Sequence, residues 1–369
     1  MITVVSCSHY PDDERIYHKE IKSLSERKLK INYFTLSDSG SVLSDDYINH
    51  INYRRSKYSI NEYIKLIENK LRKLSTKVIH IHEPELFSLA ITAKKLFGAK
   101  IIYDVHEDYP SMIHTFSRWN KYIKYLKEKY WILKERSFLS YVDEIIIASP
   151  TIINSDFIAQ GFNPILLENF PLKFFLKNIN TNLKRKNSII YHGNFGPERG
   201  IVELIEAMSI VIKKVPDASL SLFGGFRTSE YKNDVNEAID SLGIRSCINL
   251  EDHILHGDIW KHLEKHMIGV IPFNDNPLTR INTPTKLFEF MAAGCQLVFP
   301  NLPAINRYDI KGATNFLAGD INGLANAIVY AINNIDQEDL RYNQEKIKSL
   351  YNWDDNSYKL IKLYNGLLS

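Results

Sequence analysis

The chain has 369 residues, with 46 lysines and arginines against 43 aspartates and glutamates and a formal net charge of +3. That length is comfortable for two hydrophobic cores, and so small an excess of charge gives no reason to expect nucleic acid as a partner. Cys7, Cys247 and Cys295 are odd in number, far apart and outside any CxxC pair, which argues against a disulfide framework or a zinc cluster. No apolar run reaches the roughly eighteen residues of a membrane span. "MITVVSCSHYPDD" lacks a basic stretch ahead of an apolar one, so a cytoplasmic chain without a cleaved signal is expected.

From the N-terminus, short apolar runs alternate with amphipathic segments. "ITVV", "INYFTL", "VIHIH", "KIIYDVH" and "EIIIAS" read as strands, and "ERIYHKEIKSLSER" and "ELFSLAITAKKLFG" as helices, Gly98 closing the second. Strand–helix–strand repetition with near-continuous Ile/Val strands predicts a parallel sheet covered on both faces. The first loop, "SCSHYPDDER", follows a strand directly and has no glycine. A dinucleotide fold places its phosphate cradle there.

Over 161–187 the pattern breaks into proline, asparagine and basic residues. The alternation then resumes with "SIIYHG", "IVELIEAMSIVIKKV", "ASLSLFGG", "EYKNDVNEAIDSLG", "INLED", "MIGVIPF", "KLFEFMAAG" and "QLVFP". The reading is α/β: two doubly wound, Rossmann-like domains facing a cleft, with ligands at the C-terminal ends of the strands. The expected boundaries are a first domain over 1–170, a linker over 171–187 and a second domain over 188–345. A terminal helix in 346–369 is expected to return to the first domain.

Three stretches carry candidate chemistry. In "NTPTKLFEFMAAG", residues 282–294, Thr283 suits an N-cap and Pro284 the first helical position. Lys286 then lies in a first turn, where the helix dipole disfavours a cation by roughly 0.3–1 kcal/mol unless an anion docks there. Glu289, one turn on, is placed to accept from a sugar diol; a Lys286–Glu289 surface pair is the plain alternative. In "IIYHGNFGPERGIVELIEA", Gly193, Gly196 and Pro197 precede Arg199 and Gly200, setting a guanidinium beside a helix start. A glycine-rich turn with an exposed arginine is the alternative. The third, "YDVHED", brings His106 with Asp104, Glu107 and Asp108 to a strand end. Neither it nor "HIHEPE" has a fixed metal-ligand spacing, and no metal is expected.

Taken together, "SHYPDDERIYHKE", "HIHEPELFSLAITAKKLFGAKIIYDVHEDYP", "VDEIIIASPTI", "GNFGPERGIVELIEA" and "NTPTKLFEFMAAG" resemble a GT-B glycosyltransferase, similar to the family 4 retaining enzymes. The resemblance spans nearly the whole chain. It implies transfer of a sugar from a nucleotide-sugar donor to a glycan or lipid-linked acceptor with retention, without a metal or other cofactor. It also implies that the second domain holds the donor. Gly193, Asn194, Gly196, Arg199, Arg280, Thr283, Thr285, Lys286, Leu287 and Glu289 would then form the donor site. Arg199 and Lys286 would stabilise the leaving group, Glu289 would anchor the ribose and His106 would contact sugar or acceptor. His9, Asp13 and Arg15 are assigned to the acceptor side, with helix capping the plainer role for Asp12 and Asp13.

This chain departs from that pattern at two positions. The glutamate common eight residues before the ribose glutamate is Ile281, with Arg280 beside it, and the arginine common after the first glycine of "GNFGPERG" is Asn194. Ile281 gives weight to another reading, a non-catalytic GT-B-like subunit supporting a partner transferase. A sugar-nucleotide epimerase fits the motifs less well. Residues 120–139, "NKYIKYLKEKYWILKERSFL", mix lysines with aromatics and suit either an anionic membrane surface or a packing helix.

Overall fold

The apolar runs form the parallel strands of two separate sheets. The computed structural model describes residues 1–40, 42–152, 155–176, 187–252, 254 and 256–369. Two compact units emerge, Met1–Asn169 with Trp353–Ser369, and Phe170–Asn352. Of the segment read as a linker, residues 177–186 lie outside the described residues.

The first unit is built on β1 (Ile2–Val5), β2 (Ile31–Leu36), β3 (Ile48–Tyr53), β4 (Val78–Ile81), β5 (Lys100–Val105), β6 (Glu144–Ile147) and β7 (Ile165–Leu166). Their order is β3-β2-β1-β4-β5-β6-β7, and every pairing is parallel. Strand β1 is buried throughout, as a strand covered on both faces must be. The order reverses between β1 and β4, which makes the C-terminal ends of those two strands the natural ligand position.

After β1 the chain enters α1 (Glu14–Ile21), which is wound as a π-helix and runs on into an α-helical turn, Lys22–Ser25. A π-helix bonds i to i+5, so residues five apart come near one another. Glu14–Lys19 and Arg15–Glu20 are both ion pairs, the second at 3.0 Å. Farther along, α2 (Lys121–Leu139) packs Trp131, Phe138 and Leu139 inward. The terminal helix α5 (Trp353–Leu368) belongs to this unit. The Trp353 indole donates to Ser23 Oγ at 2.9 Å, the Tyr364 hydroxyl meets His80 Nδ1 at 2.8 Å, and Asn356 donates to the Glu168 carbonyl at 2.7 Å.

The second unit has β8 (Ser188–His192), β9 (Ser219–Phe223), β10 (Ile248–Glu251), β11 (Ile268–Val270), β12 (Gln296–Pro300) and β13 (Thr314–Phe316), in the order β10-β9-β8-β11-β12-β13. Here the reversal falls between β8 and β11. Two helices matter for the site: α3 (Ile201–Lys214), which follows the β8 loop, and α4 (Lys286–Ala292). Close packing requires glycine at Gly200 and Gly269, among others. A Cβ on Gly200, at φ +66°, would lie 1.9 Å from the Pro272 carbonyl oxygen, and one on Gly269 2.3 Å from the Phe290 ring.

Candidate functional site

At the reversal point of the second sheet, the loop after β8 meets the segment after β11. Gly193 leaves β8 at φ +111°, and a Cβ there would lie 3.4 Å from Lys286 Nζ. Asn274, past the end of β11, donates its side-chain amide to the Pro197 carbonyl at 2.9 Å and to Glu203 at 2.6 Å. Its backbone N–H reaches the Glu198 carbonyl at 3.2 Å. The β8 loop is therefore clamped to the β11 loop, and Phe273 sits between them.

Arg199 and Lys286 meet on that ring. The guanidinium carbon lies 4.5 Å, and the ammonium 4.9 Å, from the Phe273 ring centre. Lys286 also stands 5.0 Å from the Tyr191 ring centre. Two cations on one aromatic platform are held by its negative faces, and each weakens the case for the other's charge. Burial first, then the neighbouring Arg199, bring the Lys286 ammonium down to a pKa of about 7, against the opposing pull of Glu289 and Glu198. Glu198 is 7% exposed, with one oxygen 3.2 Å from Arg199 and 3.1 Å from Arg227.

Other expected donor residues fall into distinct groups. Glu289 is buried, with an oxygen 2.9 Å from His192 Nε2. Lys286 and Glu289 are thus not a surface pair. Gly196 is buried beside Glu198, and Leu287 is wholly in the core, which leaves only its backbone for a ligand. Asn194 is exposed, and its carbonyl accepts from the Tyr191 hydroxyl at 3.1 Å.

Thr283 does not cap the helix. The α4 N-cap is Thr285, without a side-chain cap bond, and the Thr283 hydroxyl is engaged elsewhere. It donates to the Ala304 carbonyl at 3.2 Å, and Arg307 donates to it at 2.9 Å. Arg280 is exposed and gripped by both oxygens of Asp275, at 2.5 and 2.6 Å, so its charge is already answered. Ile281 is half-buried at the end of the short helix Pro277–Ile281, which also carries Arg280.

In the first unit, the loop without glycine has its own anion. Glu83, at the end of β4, accepts from the backbone N–H groups of Cys7 and Ser8 at 3.2 and 3.0 Å and from the Ser6 hydroxyl at 2.6 Å. The donors that would face a phosphate are satisfied internally. Asp13 is the N-cap of α1, taking the N–H groups of Arg15 and Ile16, both at 2.9 Å; Asp12 is exposed and is not the cap. His9 Nδ1 lies 3.2 Å from Asp13. Burial opposes the charge on His9, but Asp13 outweighs it and raises the pKa to about 9. A hollow lined by Ser8, His9, Tyr10, Ser37, Asp38 and Arg55 opens beyond β1 and β2.

Arg15 does not line an open acceptor surface. It is 5% exposed and donates to both Asp104 oxygens at 3.1 Å, to His106 Nε2 at 3.2 Å and to the Leu167 carbonyl at 2.5 Å. Around it Glu20, His80, His82 and Asp104 form a buried group whose ligand atoms lie within 4.8 Å of one another. Burial pushes Glu20 well up; it pushes Asp104 up as well, but Arg15 and His106 reverse that and hold Asp104 well down. His106 is lowered, mainly by burial, and packs edge-on against His9 with ring centres 5.3 Å apart.

The sequence reading did not single out Phe273, Tyr191, Glu198, His192, Glu20 or Glu83. Phe273 and Tyr191 lie in apolar strand-end runs that read as core, and Glu198 was inside "GNFGPERG" but masked by the neighbouring cation. Their positions at or just past a strand's C-terminal end would have marked Tyr191, His192, Phe273 and Glu83; Glu20, inside α1, carries no such signal.

These features define a two-sheet α/β protein whose second unit gathers cations at a strand reversal point. Residues 186–334 match the family model of Glycosyl transferases group 1. No curated protein matches the chain. Among solved structures, a sucrose-phosphate synthase from Thermosynechococcus elongatus is 16% identical, with a TM-score of 0.74, over 100% of this chain and 98% of that one. An α,α-trehalose-phosphate synthase (UDP-forming) from Burkholderia xenovorans, in complex with glucose-6-phosphate, is 11% identical with a TM-score of 0.71, over all of both chains. HepE from Anabaena, in complex with UDP, is 13% identical with a TM-score of 0.71, over 99% of each. At these identities the structural likeness establishes the fold. The protein has the GT-B fold of these structures, and residues 186–334 are similar to the Glycosyl transferases group 1 model.

Proposed function

We propose that the protein is a nucleotide-sugar-dependent, retaining glycosyltransferase whose second unit binds the donor without a metal ion. The observation that carries this reading is the Arg199–Lys286 pair on Phe273. A buried ammonium beside a guanidinium is unfavourable when empty and becomes favourable when a dianion arrives. Departure of a nucleoside diphosphate from a sugar concentrates negative charge on the leaving phosphate while the sugar becomes oxocarbenium-like. Fixed cations aimed at that charge lower the barrier because they need no reorganisation. Gly193 lets the ligand's phosphates approach the backbone beside Lys286. Glu289, oriented by His192, is assigned to the ribose diol. The neighbours' names, one UDP-forming and one bound to UDP, make uridine diphosphate the first nucleotide to test.

On the acceptor side, His9 and the hollow beside it are assigned to a glycan or lipid-linked saccharide, and His106 to a sugar or acceptor contact. Asp13 and Arg15 act through others: one caps α1 and holds His9 charged, the other fixes Asp104 and His106. Helix α2 suits an anionic membrane surface, where lipid-linked acceptors reside. Its Tyr122, Leu126, Tyr130 and Leu133 are 63–71% exposed among lysines. Synthesis of a surface polysaccharide or glycoconjugate is the setting this implies. Ile281 favours the second reading, a non-catalytic subunit, since an apolar side chain there offers no polar contact to a sugar. Release of nucleotide from a panel of nucleotide sugars, with and without lipid-linked acceptors, separates the two. Turnover lost in Lys286→Ala and Glu289→Ala with the fold intact supports the transferase; binding without turnover for every pair supports the subunit.

A further inference from the structure

We propose that the first unit holds a divalent transition-metal ion, Zn2+ in the first instance, between Glu20, His80, His82 and Asp104. One ligand atom from each lies within 4.8 Å of all the others, and none of the four residues is more than 3% exposed. The individual separations are informative. His80 Nε2 stands 3.6 Å from Asp104 Oδ2, and His82 Nε2 3.9 Å from Glu20 Oε2. These are too long for hydrogen bonds. They approach the edge of a tetrahedron drawn around an ion with bonds of about 2.0–2.2 Å, which is roughly 3.3–3.6 Å. His80 Nε2, His82 Nε2 and Glu20 Oε2 have no hydrogen-bond partner among the described residues. Buried polar atoms left in that state need a reason.

The far atoms of the same side chains are held in place. His80 Nδ1 meets the Tyr364 hydroxyl at 2.8 Å and His82 Nδ1 meets His106 Nε2 at 3.2 Å. Arg15 holds both oxygens of Asp104 at 3.1 Å. Fixing one ring nitrogen with a hydrogen bond, and so leaving the other for an ion, is how metal sites orient imidazole. Two imidazoles with two carboxylates suit zinc, whereas magnesium and calcium take all-oxygen shells. A dication bound here displaces any proton on Glu20, so binding releases protons.

Four protein ligands close the coordination shell, which gives the ion a structural role. It ties α1, β4 and β5 together beneath the terminal helix that supplies Tyr364. This site is independent of the donor chemistry proposed for the second unit. Neither histidine spacing nor the sequence positions of Glu20 and Asp104 announce it, because the π-winding of α1 and the sheet bring the ligands together.

The test is metal analysis of the full chain purified without chelator, followed by stripping and titration with Zn2+ and with Co2+ as a spectroscopic probe. One equivalent per chain, a visible absorption typical of four-coordinate Co2+ and a higher melting temperature with Zn2+ are expected. Glu20→Gln and His82→Ala should each lower the affinity at least about 100-fold, and Tyr364→Phe about 10-fold. Should His82→Ala fail to fold, the nearly isosteric Glu20→Gln carries the comparison. No stoichiometric Zn2+ in the wild type, or equal uptake and an equal Co2+ spectrum in Glu20→Gln, would overturn the proposal; the cluster would then be a proton-sharing network.

Discussion

Lys286 and Arg199 converge on one ring, their charged ends 4.9 and 4.5 Å from the centre of Phe273. They are 87 positions apart in the chain, yet the reversal of strand order between β8 and β11 makes them neighbours. Removing either should lower kcat by about 100- to 1000-fold, the scale of losing one preorganised donor to a developing anion. Phe273→Leu should weaken both together, since it removes the shared face while keeping an apolar residue. Steady-state kinetics of the three variants check this; a wild-type kcat in Phe273→Leu would show that the platform is packing alone.

Titration offers a second prediction. Lys286 has a folded-state pKa of about 7, below its ordinary 10.5. Between those values the unfolded chain holds a proton that the folded chain has released. The cost of the buried charge is therefore full below pH 7, and stability rises with pH from about 7 to 10.5. A bound diphosphate lifts the pKa again, so binding at pH 8 should take up as much as one proton. Calorimetry in buffers of different ionisation enthalpy measures it. Lys286→Met should abolish the uptake and flatten the rise in stability.

His9 moves the other way. Its raised pKa of about 9 means its contribution is complete below 6.5 and is lost as pH rises through 9. Asp13→Asn should keep the α1 cap, since asparagine caps as well as aspartate, but return His9 towards 6.5 in an NMR titration. Asp13→Ala should in addition cost about 1 kcal/mol of stability. An unshifted His9 in Asp13→Asn would assign its charge to Glu83 instead.

Glu83 answers the backbone of the first loop through Cys7 and Ser8. Glu83→Ala leaves the buried Cys7 N–H unpaired and should cost about 1–3 kcal/mol in urea unfolding. Added phosphate or sulfate should recover part of that loss by occupying the vacated place. Recovery by chloride to the same extent would mean a general salt effect.

The strands were legible because Ile/Val runs such as "EIIIAS" and "SIIYHG" have few other places to go than a parallel sheet covered on both faces. Arg199, Lys286 and Glu289 were legible because each stands at a strand end or helix start with a charge that such positions rarely keep without use. Thr283 misled: its hydroxyl prefers the distant Arg307 and Ala304 to the local helix, and no spacing rule sees a tertiary partner. Arg15 misled for a similar reason. Read as an α-helix, the segment would not bring Arg15 and Glu20 together; only the π-winding does, turning the arginine inward to Asp104. Phe273 was invisible because an aromatic at a strand end looks the same whether it fills a core or seats two cations.

Whether Arg199 and Lys286 share one diphosphate is read from the affinity of UDP for the full chain, by calorimetry, in the wild type, Arg199→Ala, Lys286→Ala and the double variant. Each single variant should bind at least about 10-fold more weakly, by 1.4 kcal/mol or more, and the double variant more weakly still. Wild-type affinity in both single variants, with the fold intact, would contradict a shared site.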